Sequence, residues 1–329
     1  MSVNLCEPTN NSDTEIPRLH PQFSSPLADV ILVSSDETGF RVPLFTLRHT
    51  CGYFRDLLCT IPKTSLPVSQ YLPYKKLLVL DFQSSSNDGR KKEVTIIDVS
   101  EPDATLHKFL LIISGLSIDT DDSDRGWDLS ELEAVLELSQ RWDAPGPISV
   151  LRSFITAPYL FVSSDANALR IYDITSRMGW EEECRAAYVR TLGLNLFDAE
   201  WRPYLEKMKS AHLMRLLRFH RERRDRFKDM LDDEELFNQG NNSDPTCTGC
   251  GEPVNNFAWR ELKVRMFMEL DRRSLGDAIC GLDMEEWPEA IACWEAKCKK
   301  DDCGRLNYDR LSTLRKIQIC VLNLPTHLA

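Results

Sequence analysis

The stretch ADVILVSSDETGFRVPLFTLRHTCGYFRDLL, residues 28–58, decides the fold of the N-terminal part of the chain. Residues 28–33 are apolar and rich in β-branched side chains, residues 34–39 are turn formers, and residues 40–42 alternate between apolar and polar. This pattern predicts a β-hairpin. The stretch contains no set of catalytic residues, and the alternative is that it is itself a surface for holding other proteins.

Apolar residues continue at helical spacing after the hairpin. Near-helical intervals separate Leu44, Leu47, Phe54 and Leu58. Gly52 interrupts this pattern. The spacing therefore predicts two short helices that are separated at the glycine.

Further elements follow along the chain. Residues 84–92, SSSNDGRKK, read as a flexible insertion, and the β-branched residues 93–101 predict a strand. Ser130 with Glu133 three positions later matches the capping box of a helix start. From residue 147 to residue 236 every segment predicts a helix.

The composition bounds the kind of protein. The chain has 329 residues, a net charge of −11, a sequence pI near 5.2 and a mean hydropathy of −0.33. This length suits two or three domains. The negative charge argues against broad binding to nucleic acid or anionic membranes, and no apolar run approaches the roughly 18 residues of a membrane span.

Eleven cysteines occur in a chain whose first residues do not resemble a secretory signal, which points to reduced thiols. We therefore expect an intracellular protein, in either the cytoplasm or the nucleus. Most of the thiols are expected to be small buried apolar residues, and a few could bind metal.

Shifts in composition predict five parts of the chain. The first residues are polar and rich in Pro and Asn, and the segment NQGNNSDP has the composition of a linker. The predicted parts are a disordered N-terminal tail (1–22), an α+β domain (23–145), a helical extension (146–237), a linker (238–246) and a Cys-containing C-terminal domain (247–329).

The predicted order of elements is strand, strand, two helices, strand and three helices. It is carried by LADVILVSSDETGFRVPLFTLRHTCGYFRDLL, TIIDVSEPDATLHKFLLIISG and LEAVLELSQRWDAP. In this order the chain resembles the BTB/POZ fold, and more closely the fungal BTB-domain proteins. The matching positions are Asp29 before the first strand, Phe40 opening the second, and Thr50 followed by Phe54 and Arg55.

The resemblance implies an α+β chain with a BTB/POZ-like three-layer α/β core, an all-helical extension and a small Cys-containing helical C-terminal domain. It also implies a protein–protein interaction module that is a scaffold or adaptor, for instance a substrate adaptor for a cullin-type ubiquitin ligase. The implied partners are proteins, among them a second copy in a homodimer or a cullin scaffold. The framework residues of this part are Asp29, Phe40, Phe54 and Leu58, and we expect the three apolar ones to face the core.

We expect no enzymatic activity and no catalytic residues. The sequence contains no H-E-x-x-H motif, no phosphate-binding or dinucleotide-binding glycine motif and no G-x-S-x-G motif. A structural metal is the one cofactor that the sequence suggests.

The C-terminal part carries the strongest constellation for chemistry. Cys247 and Cys250 form a C-x2-C pair in CTGC, and two thiolates on one tight turn supply half of a tetrahedral zinc site. Cys298 and Cys303 in CKKDDC could supply the other half. Candidate substitutes for this second pair are Cys280 and Cys293. Four thiolates would close the site, so that Zn²⁺ would be structural, and the alternative is that all these cysteines are ordinary thiols.

The segment RLLRFHRERRDRFK, residues 215–228, holds seven Arg and Lys residues. It is either a patch for nucleic acid or an acidic partner, or a solvated helix face paired with the acidic DMLDDEEL that follows. We favour the second interpretation and expect no nucleic acid as partner, because the net charge opposes phosphate binding. The alternative function is a nuclear transcription regulator whose zinc-stabilised C-terminal region contacts nucleic acid or chromatin proteins. It predicts salt-dependent binding that weakens when Arg221, Arg223 and Arg224 are reversed in charge.

Overall fold

The computed structural model describes residues 17–59, 74–80, 91–117, 127–158, 160 and 164–326. The chain divides into two compact units, residues 1–155 and residues 156–329. The first unit combines a sheet with helices, and the described part of the second is built from helices and two isolated β-bridges. The chain is therefore α+β, as predicted, whereas the finer five-part division stays a prediction.

Among the described residues, a five-stranded mixed sheet forms the centre of the first unit. Its strands are β1 (Arg18–Leu19), β2 (Val30–Val33), β3 (Thr38–Val42), β4 (Tyr74–Leu80) and β5 (Lys91–Asp98). They lie side by side in the order β1-β3-β2-β5-β4. β2 is antiparallel to β3 and parallel to β5, β4 is antiparallel to β5, and β1 is parallel to β3.

The predicted hairpin and the predicted third strand are confirmed. Val30 pairs with Val42 and Val33 pairs with Gly39, so the chain turns within the predicted polar loop. The run of apolar residues in β2 is almost entirely buried, as is typical of a strand with neighbours on both edges and packing on both faces.

Five α-helices and a 3-10 helix (Pro21–Phe23) complete the described part of the first unit. The α-helices are α1 (Leu44–Thr50), α2 (Gly52–Cys59), α3 (Asp103–Ile113), α4 (Leu129–Arg141) and α5 (Pro145–Phe154). The predicted break at Gly52 is confirmed. The Gly52 N–H donates to the Asp143 carbonyl oxygen at 2.9 Å, and a Cβ at position 52 would collide with the Asp143 side chain. Glycine suits this position because any larger residue would have to displace the Asp143 side chain.

Aromatic rings hold the helices of the first unit together. Phe40 and Phe54 are fully buried, and Trp142 meets Phe54 and Phe109 edge to face at centroid distances of 4.9 and 5.0 Å. Phe40 and Phe54 are therefore core residues, as expected.

Asp29 links the first hairpin strand to the helix that follows the hairpin. Its carboxylate accepts the N–H of Leu44, the first residue of α1, at 2.7 Å. A carboxylate in this position satisfies a helix-start N–H and interacts favourably with the helix dipole. Leu58 lies in α2, but its side chain is outside the described part of the structure.

The prediction of a disordered tail over residues 1–22 is wrong for its last residues. Residues 1–16 lie outside the described residues, but Arg18–Leu19 form β1 and the His20 N–H donates to the Gly39 carbonyl oxygen at 2.8 Å. Phe23, the first residue after this predicted tail, is buried. The edge of β3 supplies the backbone partners that order this segment.

Two more details differ from the sequence prediction. The strand β4 was not predicted, and Lys91 and Lys92, assigned to a flexible insertion, belong to its partner β5; residues 84–90 of that insertion lie outside the described residues. The helix α4 is capped by Asp128 instead of Ser130. Asp128 accepts the Glu131 N–H at 2.8 Å, and the Glu131 carboxylate accepts the Asp128 N–H at 3.1 Å.

In the second unit nine α-helices have described bounds, and a 3-10 helix spans Leu282–Glu286. The α-helices are α6 (Ala166–Met178), α7 (Glu181–Thr191), α8 (Arg202–Leu205), α9 (Ser210–Asp232), α10 (Asn238–Asn241), α11 (Phe257–Arg272), α12 (Asp277–Cys280), α13 (Pro288–Glu295) and α14 (Arg310–Leu322). Side chains of α9, α11, α13 and α14 share one apolar core around Trp259 and Leu262. No described helix has the length and apolar character that a membrane crossing requires.

The segment predicted as a linker, 238–246, contributes to this core. Gly240 is buried against Trp259, and the Asn241 side-chain oxygen accepts the Trp259 indole N–H at 3.0 Å. These contacts tie α10 to the start of α11, so this part of the chain is packed and not an open connection.

His220 of α9 is held neutral in the folded protein. Its Nε2 lies 3.1 Å from the Thr191 hydroxyl oxygen, and burial, with a smaller contribution from the Arg223 charge, lowers its pKa to about 4. In the unfolded chain the imidazole has a pKa of about 6.5, so between these two values the unfolded state binds the proton and the native state does not. The stability that depends on the neutral ring is therefore complete above about pH 6.5 and is lost as the pH falls towards the native pKa.

We expect the wild-type protein to lose about 2 kcal/mol more stability than His220→Gln between about pH 7.5 and about pH 5.0. All other titratable groups are the same in the two proteins, so their contributions to the pH dependence of the free energy of unfolding cancel in this comparison. Urea titrations at both pH values measure it, and equal losses would contradict the assignment.

Candidate metal centre

Two short turns of the second unit each carry a pair of cysteines. In the first turn, which holds Cys247 and Cys250, the Cys247 N–H donates to the Glu252 carbonyl oxygen at 2.8 Å. An antiparallel bridge between Thr246 and Pro253 closes the turn at its base. The C-x2-C pair is therefore held on a small, hydrogen-bonded hairpin.

The second turn, which holds Cys298 and Cys303, is built on the same plan. The Cys298 N–H donates to the Arg305 carbonyl oxygen at 2.8 Å, and an antiparallel bridge between Lys297 and Leu306 closes the base. The wider spacing of this pair is accommodated within the turn, and does not prevent both sulfurs from facing the first pair.

A glycine directly follows the second cysteine of each pair. Gly251 has a φ of +72° and Gly304 a φ of +52°. The Gly251 N–H donates to the Cys247 carbonyl oxygen at 2.9 Å, which tightens the first turn. Because other residues rarely adopt this left-handed conformation, the Cys-Gly dipeptides are a requirement of both turns.

The two turns bring four sulfurs into one cluster. Cys247 Sγ lies 3.7 Å from Cys303 Sγ, Cys250 Sγ lies 3.6 Å from Cys298 Sγ, and all four atoms lie within 4.8 Å of one another. These separations are too long for a disulfide, whose S–S bond is about 2.05 Å. A regular tetrahedron of Zn–S bonds about 2.3 Å long has edges of about 3.8 Å, so the cluster fits a tetrahedral ion. These four cysteines could bind a metal such as zinc.

Backbone N–H groups are directed at the sulfurs. The Gly249 nitrogen lies 3.5 Å from Cys247 Sγ, and the Glu252 amide donates to the sulfur of Cys250. The Gly249 and Cys250 amides lower the pKa of Cys247 to about 6. Donors of this kind favour the thiolate, which is the form of cysteine that binds a metal. At Cys250 the Glu252 amide acts in this direction, but desolvation and the neighbouring Cys298 thiol raise the pKa overall.

Arg305 connects the two turns. Its carbonyl oxygen accepts the Cys298 N–H, and its guanidinium lies across the first turn, with Nη1 at 3.5 Å from the Thr248 hydroxyl oxygen. A Cβ at position 249 would approach Arg305 Nε to 2.9 Å, which is why Gly249 suits this place. The arginine also brings a positive charge close to a site made of thiolates, where it offsets negative charge.

The two substitute ligands do not join the cluster among the described side chains. Cys293 is fully buried in the apolar core on α13, and burial raises the pKa of its thiol to about 12. The side chain of Cys280 lies outside the described residues. The second pair is therefore Cys298 with Cys303. Arg305 and Gly304 were not found from the sequence, although the repeated Cys-Gly dipeptide was a signal for the glycine.

The basic residues of α9 are largely engaged within the second unit. Arg223 is buried and donates to the carbonyl oxygens of Ser274 at 2.8 Å and Pro325 at 2.5 Å. Arg224 pairs with Asp271 at 2.7 Å. Arg223 therefore cannot contact a phosphate group, and a reversal of its charge would disturb packing instead of a nucleic-acid surface.

A scan against protein-family models finds no match for this chain, and a search of curated proteins finds none either.

Proposed function

We propose that the protein is a protein–protein adaptor without enzymatic activity. In this proposal the first unit is BTB/POZ-like and binds a second copy of the chain or a cullin-type scaffold. The second unit is held by a structural Zn²⁺ on Cys247, Cys250, Cys298 and Cys303 and binds the protein that is to be presented. Presentation of substrates to a ubiquitin ligase is the activity that such an arrangement would serve.

The order and pairing of elements in the first unit carry the proposal. The hairpin β2–β3 is followed by the helices α1 and α2, by a strand that pairs parallel to β2, and by the helices α3, α4 and α5. This agrees with the order implied by the resemblance to BTB/POZ proteins. The strands β1 and β4 are additions to that order and lie at the two edges of the sheet, where they leave the other pairings intact.

The helix α1 offers an anchor for a partner. Phe45 is 70% exposed, whereas Leu47 on the same helix is fully buried. The Phe45 ring lies against His49 at a centroid distance of 4.0 Å. Large aromatic side chains on a rigid element are the residues that most often dominate the binding energy of an interface. Because Phe40 and Phe54 are core residues, Phe45 is the better position for testing an interface.

A structural role for zinc follows from the chemistry of the donor set. Four thiolates fill the tetrahedral coordination and leave no position for a substrate or a reactive water. The ion would join two turns that precede α11 and follow α13, two helices that pack in the same apolar core. It would therefore fix the ends of this segment relative to each other.

The contacts of α9 disfavour the alternative of a nuclear regulator that binds nucleic acid through this helix. That alternative needs Arg221, Arg223 and Arg224 on one accessible surface. Arg223 is buried, and Arg224 is paired with an acidic side chain.

The adaptor proposal is tested with the purified full chain and the variant Phe45→Glu. The mass in solution is measured by light scattering, and binding to a purified cullin N-terminal domain is measured by biolayer interferometry. We expect the wild-type chain to dimerise or to bind the cullin domain, and Phe45→Glu to weaken that association by about tenfold or more. Phe154→Glu, which changes another partly exposed phenylalanine of the same unit, is the matched control and should leave it unchanged.

A chain that stays monomeric at every concentration and binds no cullin domain would overturn the adaptor proposal. An equal loss in both variants would show that the association does not depend on the exposed face of α1.

A further inference from the structure

A groove runs along α9 on the surface of the second unit. Its volume is about 950 Å³, within the range of about 300–1,000 Å³ that is usual for ligand sites. Met214 and Leu217 line it from α9, Leu196 and Phe197 from the segment after α7, and Arg272 from the end of α11. We call it the α9 groove.

The polar lining of the α9 groove is strongly cationic. Its charged side chains are Arg215, Arg218, Arg221, Arg224, Arg272 and Asp271. Two of the arginines are already committed: Arg215 pairs with Glu181 through two hydrogen bonds of 2.7 and 3.2 Å, and Arg224 pairs with Asp271 at 2.7 Å. Because carboxylates already neutralise these two arginines, they shape the groove and contribute little charge for binding a ligand.

The other three arginines are available to a ligand. Arg218 and Arg272 are exposed and have no ion-pair partner in the described part of the chain. Arg221 is 73% exposed and forms only a long, solvent-exposed ion pair with Asp225, whose oxygen lies 3.5 Å from its Nε, and an exposed pair of this kind is weak enough for a ligand carboxylate to replace. Guanidinium groups bind carboxylates through paired hydrogen bonds, and such pairs gain strength where apolar neighbours exclude water.

Apolar side chains stand exposed beside these charges. Phe197 is 81% exposed and Met214 is 63% exposed. Methionine adapts its shape to different apolar partners, and an exposed phenylalanine next to it supplies a large contact area. A ligand that matches this lining needs both negative charge and an apolar side chain.

We propose that the α9 groove binds an acidic peptide segment of a partner protein, with an apolar side chain of that segment packed on Phe197 and Met214 and its carboxylates on Arg218, Arg221 and Arg272. This extends the proposed adaptor function by assigning the surface and the chemistry of substrate recognition.

A peptide fits the lining better than a nucleic acid does. Single-stranded nucleic acids are usually held by several stacked aromatic rings, whereas beside Phe197 the apolar lining is aliphatic. The net charge of −11 also repels a long polyanion, while a short acidic segment meets mainly the local field of the arginines.

The test uses the full chain and a fluorescein-labelled peptide of about twelve Asp and Glu residues around a central Leu-Phe pair. Fluorescence anisotropy measures its binding to the wild-type chain and to the double variant Arg218→Glu/Arg272→Glu. Arg226→Glu is the matched control, because Arg226 is exposed on the same helix and lies outside the groove lining. Circular dichroism establishes that the variants are folded.

We expect micromolar binding of the acidic peptide that weakens with salt, a loss of about tenfold or more in the double variant, and a change of less than about twofold in the control. Phe197→Ser should weaken the same peptide and have little effect on a peptide in which the Leu-Phe pair is replaced by glycines. The proposal is overturned if the acidic peptide does not bind, if a peptide with Asn and Gln in place of the acids binds equally well, or if the double variant binds normally. It is also overturned if a single-stranded oligonucleotide of equal length binds more tightly than the peptide.

This experiment and the adaptor test fail separately. The adaptor test changes α1 of the first unit and measures dimerisation or cullin binding, whereas the groove test changes arginines of the second unit and measures peptide binding.

Discussion

Cys298→Ser should leave the purified protein without bound metal and strongly weaken the second unit. A serine hydroxyl is not a thiolate, so the variant keeps three of the four ligands of a closed tetrahedral site. We expect the zinc content, measured by inductively coupled plasma mass spectrometry, to fall from about one ion per chain to near zero. Metal binding in zinc-finger peptides contributes about 10–16 kcal/mol to folding, and a unit with its own apolar core would lose only part of this, which we place at about 3 kcal/mol or more.

Cys293→Ala is the matched control for this prediction. Cys293 is another thiol of the same unit, but it lies in the apolar core and not in the cluster of sulfurs. The control should keep its metal and lose only the stability expected for a small cavity. A wild-type chain that carries no metal, and whose urea midpoint does not respond to added Zn²⁺, would contradict the zinc proposal. A protein that contains iron would keep the four-thiolate site but reject zinc as its metal.

Trp259→Ala should cost about 4 kcal/mol in the free energy of unfolding. The indole is 1% exposed, and its ring lies 5.0 Å from Phe237 and 6.2 Å from Tyr308 between centroids. Its N–H donates to the Asn241 side chain, and Gly240 packs flat against it. Removal of the ring leaves a large cavity in the core, and the Asn241 side-chain oxygen loses one of its two donors while it keeps the Lys263 ammonium.

Urea titrations followed by circular dichroism measure this loss. Trp294→Ala is the matched control, because Trp294 is only partly buried at the edge of the same core and should cost clearly less. If both variants lost the same stability, or if Trp259→Ala lost less than about 1 kcal/mol, Trp259 would not be the centre of the core.

The first hairpin and its two helices could be predicted because their signals are local. The apolar run of β2, the turn formers and Gly52 each specify the backbone within a few residues. The strands β1 and β4 were missed because both lie at edges of the sheet and depend on a partner strand for their order. In α4 the sequence analysis identified Ser130 with Glu133, but the same spacing recurs two residues earlier, and the helix is capped by Asp128 with Glu131.

The candidate site could be predicted in part for the same reason. Ligand spacing identifies Cys247 with Cys250 as one pair, but sequence alone left four later cysteines as candidates for the second. The fold decides between them, because α13 turns Cys293 into the core while a hairpin turn presents Cys298 and Cys303. The burial of the Arg223 side chain is also determined by tertiary contacts. A cation within a basic helix reaches backbone oxygens far along the chain, which no local pattern reveals.

The parallel pairing of β2 with β5 has a consequence for synthesis on the ribosome. Val30 lies opposite Thr95, so β2 and β3 emerge long before the strand that covers the other edge of β2. At usual elongation rates the roughly sixty intervening residues take about 3–12 s to add. During this time the nascent chain carries an apolar strand with an open edge, which is a template for pairing with another chain.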